Sequence, residues 1–387
     1  MLLDNLHLYD DQGPQSIIIK DGYIQGKGPA GNPAGGLPVL HFEDAVAFPG
    51  LINSHDHLDF NCFPLLGHYP YRNYVEWGTD IHTRDRAAID RVLQIPKALR
   101  VQWGMYKNLL NGITTVVHHG PSLPVTEALI TVFQHCYSLH SVGLERNWKI
   151  KLNFPRHTGQ PVVIHIGEGT DAFSGEEIDE LTRWNIFRRP LIGVHGVAMS
   201  ARQAARFLAL VWCPDSNLFL LSKTAAIKDL KAHTQVIFGT DSTLTGSWNL
   251  WDQLRLAQAT GMASGQELLA MLTTIPAGVW NLPHLGRIAA GKRADIVVAK
   301  KKGISQRPES FSQLNPQDIL LVMHRGEIKL FDASLYRQIK RQGSLPGVFS
   351  SIALGGETKF VKGNLPALMQ EIAHYHPGIN FPVSSAI

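Results

Sequence analysis

The sequence PGLINSHDHL, residues 49–58, decides how the rest of the chain is interpreted. An apolar run, residues 45–48, leads into a Pro-Gly turn, and a second short apolar run ends at His55, Asp56 and His57. Side chains alternate between the two faces of a strand, so His55 and His57 point the same way and Asp56 points away. Two imidazoles on one strand face can converge on a single metal ion. Alone, the pattern also fits two hydrogen-bonded loop histidines.

Residues 49–285 alternate between helical patterns and short apolar runs. Continuous apolar strands that alternate with helices predict a parallel sheet buried on both faces, and a closed (β/α) barrel is its favoured form. The predicted helices are 89–110, 125–135, 175–184, 201–208, 224–232, 250–259 and 264–279, and the predicted strands after the first are 113–117, 137–144, 162–164, 191–194, 210–212 and 236–238. These make seven strands, and the short stretch 144–162 predicts either a distorted barrel or one with a reduced β/α unit.

Polar residues follow these strands where a barrel places its chemistry, at the carboxyl ends. The second strand is followed by His118 and His119, and three later strands are followed by His165, His195 and Asp241. One histidine after a strand is common, but a histidine or aspartate after nearly every strand is hard to explain by packing.

Composition excludes several classes of protein. A net charge of +4 over 387 residues is too small to indicate nucleic-acid binding. Three cysteines argue against a disulfide framework, and the absence of any run of about 18 apolar residues argues against a membrane span. With no basic, signal-like start, the sequence predicts a cytoplasmic protein with a small-molecule substrate, without nucleic-acid or membrane partners.

The chain ends have a different character from the middle. Short strands with turn signals are predicted in residues 1–48 and again in 286–335, so the two ends are expected to pair in one small β domain. Residues 49–285 form the predicted barrel. The remaining extension, 336–387, contains one helix-like run at 365–375, and either a cap on the barrel or an oligomer interface, such as that of a homodimer, is compatible with it.

Five motifs in this order resemble the amidohydrolase superfamily, specifically its aminohydrolase and chlorohydrolase branch. They are PGLINSHDH (49–57), HIGEGTD (165–171), VHG (194–196), CPDSNL (213–218) and GTDS (239–242), followed by GRIAAGKRADIVV (286–298). The resemblance implies an α/β fold: a (β/α)8 TIM-like barrel plus a small β-sandwich domain built from both chain ends.

The resemblance also implies a site and a reaction. One divalent ion, zinc or iron, would be held by His55, His57, His165 and Asp241. Glu168 would carry a proton from the metal-bound water to the ring nitrogen and leaving group, and His195 would contact the attacking hydroxide. Asp241 would also accept the hydroxide proton. The implied reaction is hydrolytic deamination of a nitrogen heterocycle, which requires both a nucleophile and an acid.

Candidate substrate contacts come from less specific patterns. His118, His119 and His140 are equally compatible with substrate contact and with ordinary strand-end histidines. His118 and His119 are adjacent, so at most one of the two can face the barrel mouth. Asn217 fits either a substrate contact or a loop-fixing role. Trp77 lies in the long 59–88 segment and fits either stacking on a planar ring or surface packing.

Other functions remain open at this stage. The same fold could release chloride or open a cyclic amide. A binuclear amidase would need a bridging carboxylated lysine, for which Lys149 and Lys151 are the nearest candidates. A metal-stabilised binding module without turnover would not need Glu168.

Overall fold

A computed structural model describes residues 1–9, 13–31, 36–125, 129–154, 159–302, 308–343 and 347–386. Within these residues, none of the helices combines the length and the apolar character that crossing a bilayer requires. The strands are β1 (Leu2–Leu8), β2 (Pro14–Lys20), β3 (Tyr23–Pro29), β4 (Val39–Pro49), β5 (Leu51–Asp56), β6 (Ile113–His118), β7 (Thr131–Phe133), β8 (Tyr137–Ser141), β9 (Val162–Ile166), β10 (Leu191–His195), β11 (Ala209–Trp212), β12 (Gln235–Phe238), β13 (Ile296–Lys300), β14 (Ile319–His324), β15 (Glu327–Asp332), β16 (Phe349–Leu354), β17 (Glu357–Lys362) and β18 (Val383–Ser385).

The helices lie mostly between the strands of the middle region. They are α1 (Tyr74–Arg84), α2 (Arg86–Leu93), α3 (Lys97–Leu110), α4 (Trp148–Leu152), α5 (Ala172–Trp184), α6 (Ala201–Ala204), α7 (Pro214–Leu221), α8 (Ile227–Leu230), α9 (Leu250–Ala259), α10 (Gly265–Met271), α11 (Thr274–Val279), α12 (Tyr336–Arg341) and α13 (Leu365–Tyr375). The chain is therefore an α/β protein, as predicted.

Two parallel sheets carry the middle region. One has the order β5-β6-β7 and the other β12-β11-β10-β9-β8. Strands β5, β6, β9, β10 and β11 are buried along their whole length, which explains why their sequences do not alternate between apolar and polar residues. The amide of Asp241, just after β12, donates to the carbonyl of His55 in β5 (3.1 Å), so the two sheets adjoin at the carboxyl ends of these strands.

A ten-stranded sheet combines both chain ends, in the order β18-β16-β17-β15-β14-β13-β4-β1-β2-β3. The two ends pair with each other, as predicted: β4 from the N-terminal part runs antiparallel to β13 from the C-terminal part, with Phe48 opposite Val297. The C-terminal strands β16, β17 and β18 extend the same sheet. Helix α13 has the bounds predicted for the run 365–375.

Several predicted helices differ from the structure: the one at 264–279 is divided into α10 and α11, and those at 201–208 and 224–232 shorten to α6 and α8. The helix predicted at 125–135 is wrong: Thr131–Phe133 is the short strand β7, parallel to β6, and residues 126–128 lie outside the described residues. With β7 included, the two parallel sheets of the middle region contain eight strands among the described residues. The strand that the sequence did not reveal therefore lies before residue 137 and not between 144 and 162. The helix predicted at 89–110 is divided into α2 and α3, since Pro96 lacks an amide hydrogen and precedes the first turn of α3.

Helix α3 packs directly against the turn that follows His55 and His57. A Cβ atom added to Gly104 would lie 2.2 Å from the main-chain oxygen of Leu58. We therefore expect Gly104→Ala to lower the free energy of unfolding by about 1–3 kcal/mol, because neither backbone can move away easily. Urea denaturation checks this, with Gly175→Ala in α5 as the control.

A Cβ on Gly175 would meet no atom within 4 Å. Its replacement should leave the protein as stable as before or up to about 1 kcal/mol more stable, because alanine favours helix. Equal effects of the two substitutions would show that the contact between α3 and Leu58 imposes no steric limit.

Candidate metal centre and active site

Four side chains meet at the carboxyl ends of the parallel strands. The Nε2 atom of His165, in β9, lies 3.3 Å from Nε2 of His55 and 3.4 Å from Nε2 of His57. The Oδ1 atom of Asp241 lies 3.7 Å from Nε2 of His55 and 3.8 Å from Nε2 of His57. The structure thus brings together all four predicted metal ligands from three separate strand ends.

The spacing and the chemistry of these donors fit a divalent transition metal. Zinc–nitrogen bonds of about 2.0–2.1 Å at tetrahedral angles separate two nitrogens by roughly 3.3–3.4 Å. The Nδ1 atom of His165 lies 2.9 Å from the carbonyl of His140, so it carries the proton and leaves the Nε2 lone pair facing the centre. Imidazole and carboxylate donors suit zinc and iron alike.

Asp241 is held in an unusual conformation by its surroundings. Its backbone lies in the left-handed region, at φ 55°. Its Oδ2 atom accepts hydrogen bonds from the hydroxyls of Ser216 (2.9 Å) and Thr245 (3.0 Å), whereas Oδ1 accepts from the amide of Ser242 (2.8 Å) and faces the imidazoles. Ser216 was not predicted as a site residue, although it lies within the CPDSNL motif.

The protonation of these groups suits metal binding. Burial, followed by repulsion from the neighbouring imidazoles, holds the pKa of His55 and His165 well below the usual value. Burial alone would raise the pKa of Asp241, but attraction to His57 and His195, together with hydrogen bonds from Ser242 and Ser216, lowers the pKa. His55 and His165 are therefore neutral imidazoles and Asp241 is a carboxylate, the forms in which these side chains ligate metals.

Glu168 and His195 lie beside the four donors. Glu168 is buried, and its Oε1 atom lies 3.5 Å from Nε2 of His195. Burial raises the pKa of Glu168 well above its usual value, and the carboxylates of Asp241 and Glu177 add to this effect. Burial lowers the pKa of His195 to about 4. The pair thus combines a carboxyl group that can hold a proton with a neutral imidazole.

Asn217 sets the tautomer of His195. The Nδ2 atom of this buried asparagine lies 2.9 Å from Nδ1 of His195, and the hydroxyl of Thr224 donates to its Oδ1 (3.3 Å). An amide nitrogen can only donate, so Nδ1 of His195 is the acceptor and Nε2 carries the hydrogen. Although the nitrogens of His195, His55 and His165 lie within 4.8 Å of one another, His195 is arranged as a donor and not as a ligand.

The predicted substrate contacts divide into two groups. His140 and Trp77 line the cavity above the centre. His118, His119 and Asn217 are not among the described residues that line this cavity. Nδ1 of His118 accepts a hydrogen bond from the amide of Leu58 (3.4 Å). The ring of His119 contacts the carbonyl of Leu139 (3.0 Å) and packs on His165. Asn217 lies behind His195.

Sequence reasoning missed the group behind the centre. Asp56 points away from the metal ligands, as predicted, and accepts from Lys107 (3.1 Å), Asn108 (2.7 Å) and Asn61 (2.9 Å). Lys107 also donates to the carbonyl of Asp241 (3.1 Å). The sequence contained one sign of this group: Lys107 lies within the apolar pattern of the helix predicted at 89–110.

Known proteins were compared with the chain. Residues 152–329 match the model of the amidohydrolase family. The 5-methylthioadenosine/S-adenosylhomocysteine deaminase of Caldicellulosiruptor saccharolyticus is 23% identical over 366 residues, which cover 77% of this chain and 83% of that protein.

Solved structures share the fold. A zinc-bound adenosine deaminase from Xanthomonas campestris has a TM-score of 0.73, with 16% identity and 97% of each chain covered. The zinc complex of atrazine chlorohydrolase from Arthrobacter aurescens has a TM-score of 0.65, with 18% identity over 89% of this chain and 99% of that one. These similarities confirm the predicted resemblance: residues 152–329 match the amidohydrolase family model, the chain is similar in sequence to a deaminase, and it shares its fold with a deaminase and a chlorohydrolase.

Proposed function

We propose that this protein is a metal-dependent hydrolase that deaminates a nitrogen heterocycle. One observation carries the proposal: Glu168 and His195 lie on the floor of the same cavity as the four-donor centre formed by His55, His57, His165 and Asp241. A zinc or iron ion in that centre would lower the pKa of bound water to about 7 and so supply a nucleophile near neutral pH.

The residues around the centre have distinct roles in the proposal. Glu168 takes one proton from the attacking water and delivers it to the ring nitrogen. The second proton of that water, first accepted by Asp241, is delivered to the amino group, which leaves as ammonia. The hydrogen on Nε2 of His195 orients the attacking oxygen. Asp241 is both a metal ligand and a second proton acceptor, and the hydroxyls of Ser216 and Thr245 fix its orientation.

The named relatives favour deamination over other leaving groups. One is a 5-methylthioadenosine/S-adenosylhomocysteine deaminase and another an adenosine deaminase, whereas the chlorohydrolase keeps chloride release as the second candidate. For a binuclear amidase, Lys149 and Lys151 are poor bridging ligands, because their ammonium groups pair with Glu180 and Glu145 and are 40% and 45% exposed. A binding module without turnover leaves the buried Glu168 without a role.

The proposal includes a finer description of the fold. The two parallel sheets would form the wall of a distorted (β/α)8 barrel within residues 49–285, with its irregular seam between β7 and β8. Residues 1–48 and 286–335 would form the small β-sandwich domain. The extension 336–387 contributes three strands to the ten-stranded sheet, and its Phe381 packs edge-on against Trp103 of α3.

An ammonia-release screen tests the proposed reaction. Protein reconstituted separately with zinc and with iron would be incubated with amino-substituted purines, pyrimidines and triazines, and with their chloro analogues. We expect ammonia from at least one amino compound. Chloride release without ammonia would favour the chlorohydrolase alternative. If neither ammonia nor chloride is released, the proposal that the protein hydrolyses these rings is contradicted.

The contact between Asn217 and His195 predicts a kinetic effect. Asn217→Leu should lower kcat about 10- to 100-fold, because His195 loses the partner that fixes its tautomer. Metal content, measured by plasma emission spectrometry, should not change, since Asn217 contacts none of the four proposed ligands. Unchanged kcat for the substrate found in the screen would contradict this role.

A further inference from the structure

The cavity above the centre has an asymmetric distribution of charge. Its volume is about 650 Å³, and the described residues of its wall include two ionisable carboxyl groups, Glu168 and Asp241, both on the floor. The described wall contains neither lysine nor arginine. Apart from the imidazoles of its histidines, the described wall therefore holds no side chain that could compensate the charge of a bound anion.

The upper wall of the cavity is mainly apolar. Its apolar side chains include Phe60, Phe63, Trp77, Ile81, Leu93 and Leu144. Leu93 is 49% exposed and Leu144 50% exposed, so apolar surface continues to the rim. A substituent that covers these side chains would remove apolar surface from water, which favours binding.

Most hydrogen-bond donors of the upper wall already have partners within the protein. The hydroxyls of Thr79 and Thr83 each donate to a carbonyl one helical turn back (2.8 Å for both). The indole of Trp77 donates to a main-chain carbonyl (2.8 Å), and the hydroxyl of Tyr74 donates to Glu177 (2.8 Å). The wall thus offers few donors that could replace the hydration of an anion.

Three arginines on or beside the helices above the cavity are paired with carboxylates of the same segment, whereas Arg91 of α2 lines a different cavity. Arg72 contacts Glu76 (3.2 Å), and Arg84 contacts Asp80 (2.9 Å). Arg86 of α2 pairs in the same way with an aspartate four residues on (2.9 Å). The guanidinium groups of these three arginines are thus paired with neighbouring carboxylates, and none of them lines the cavity.

We infer that the substrate is an uncharged nitrogen heterocycle with an apolar substituent, and that analogues whose substituent carries a carboxylate or a phosphate are rejected. This inference rests on the proposed function, since the ring is assumed to lie against Glu168 and the metal ligands. A charge on the substituent would lose its hydration in the upper cavity without gaining a cationic partner, which disfavours binding strongly.

Matched ligands test the inference. We would compare 9-propyladenine with 9-(2-carboxyethyl)adenine, which are similar in size, and a propylamino-triazine with its carboxyethylamino counterpart. Dissociation constants would be measured by calorimetry on the zinc-loaded Glu168→Gln variant, so that binding is separated from turnover. For at least one of the two rings, we expect the propyl compound to bind at least tenfold more tightly than the matching carboxyethyl compound. The difference should reach roughly 100-fold if the carboxylate is completely desolvated.

A charge introduced at the rim provides the reciprocal test. In the same Glu168→Gln background, Leu144→Lys should improve binding of the carboxyethyl compound about tenfold relative to Leu144→Gln, the neutral control, because the ammonium can pair with the ligand carboxylate. Less than a tenfold preference for the propyl compounds, or no binding of either pair, would overturn the inference. Preferential binding of the propyl compounds without ammonia release by the wild-type protein would instead refute deamination and leave the ligand class intact.

Discussion

Glu168→Gln is expected to lower turnover by about 10²- to 10⁴-fold while the protein keeps its metal. Glutamine has nearly the same shape as glutamate but cannot give up or deliver a proton. Glu168 is not one of the four donors that converge on the proposed metal, and its Oε1 atom lies 3.5 Å from Nε2 of His195. Turnover and metal content should therefore respond differently to this substitution.

Glu177 provides a matched control for Glu168. It is also a buried glutamate, and it accepts hydrogen bonds from the hydroxyl of Tyr74 (2.8 Å) and the amide of Gly167 (2.7 Å). It does not line the cavity. In Glu177→Gln the amide oxygen can accept from Gly167 and the amide nitrogen can donate to the oxygen of Tyr74, so we expect less than a tenfold change in turnover. Ammonia release and metal analysis on the same preparations measure both effects.

Two results would contradict the proposed role of Glu168. Loss of metal from Glu168→Gln would indicate that the carboxylate helps to hold the ion. Retention of more than a tenth of wild-type turnover would mean that another group transfers the proton. A binding module would show no difference between the two glutamine variants in any ligand-binding measurement.

The positions of the proposed metal ligands could be predicted because strand geometry determines them. Alternation along β5 places His55 and His57 on one face and Asp56 on the other, and the contacts of Asp56 with α3 agree with this. His165 and Asp241 follow apolar runs that the sequence marks clearly. At a strand end, the direction of the chain limits where the next side chain can point.

The direction of side chains around the site could not be predicted in the same way. The sequence does not show that the ring of His119 packs on His165, or that Asn217 reaches behind His195, because these orientations depend on neighbours from other strands. The three-residue strand β7 is also too short for its period to be recognised. Its pairing with β6 is a tertiary effect.

Lys107→Met is expected to lower the free energy of unfolding by about 3–5 kcal/mol. The ammonium group of Lys107 is 1% exposed and pairs with Asp56, which is 0% exposed. Removal of the lysine leaves the aspartate charge buried without its cationic partner. For a chain of this size, the midpoint of thermal unfolding should fall by about 4–6 °C, as measured by calorimetry or circular dichroism.

The same variant should also damage the metal centre. Lys107 donates to the carbonyl of Asp241 (3.1 Å) and to the hydroxyl of Thr240 (3.3 Å), and so helps to hold Asp241 in its left-handed conformation. Without these contacts, the carboxylate is less well oriented toward His55 and His57. We expect metal affinity or turnover to fall about 10- to 100-fold.

Lys359 separates the effect on stability from the effect on the site. It is a second fully buried lysine, which donates to Asp332 (2.6 Å) and to the carbonyls of Gln317 (2.7 Å) and Ile319 (2.8 Å) in the ten-stranded sheet. Lys359→Met should lower stability by a similar amount but leave metal affinity and turnover at their wild-type values below the unfolding temperature.

Comparison of the two lysine variants tests whether the ion pair between Lys107 and Asp56 serves the site. Equal turnover in both variants would mean that this pair only stabilises the fold. In the Lys107→Met background, Asp56→Asn should recover part of the lost stability, because it removes the unpaired charge, but it should not recover metal affinity, because the hold on Asp241 is still missing. Recovery of both properties would place the defect in the charge of Asp56 rather than in the orientation of Asp241.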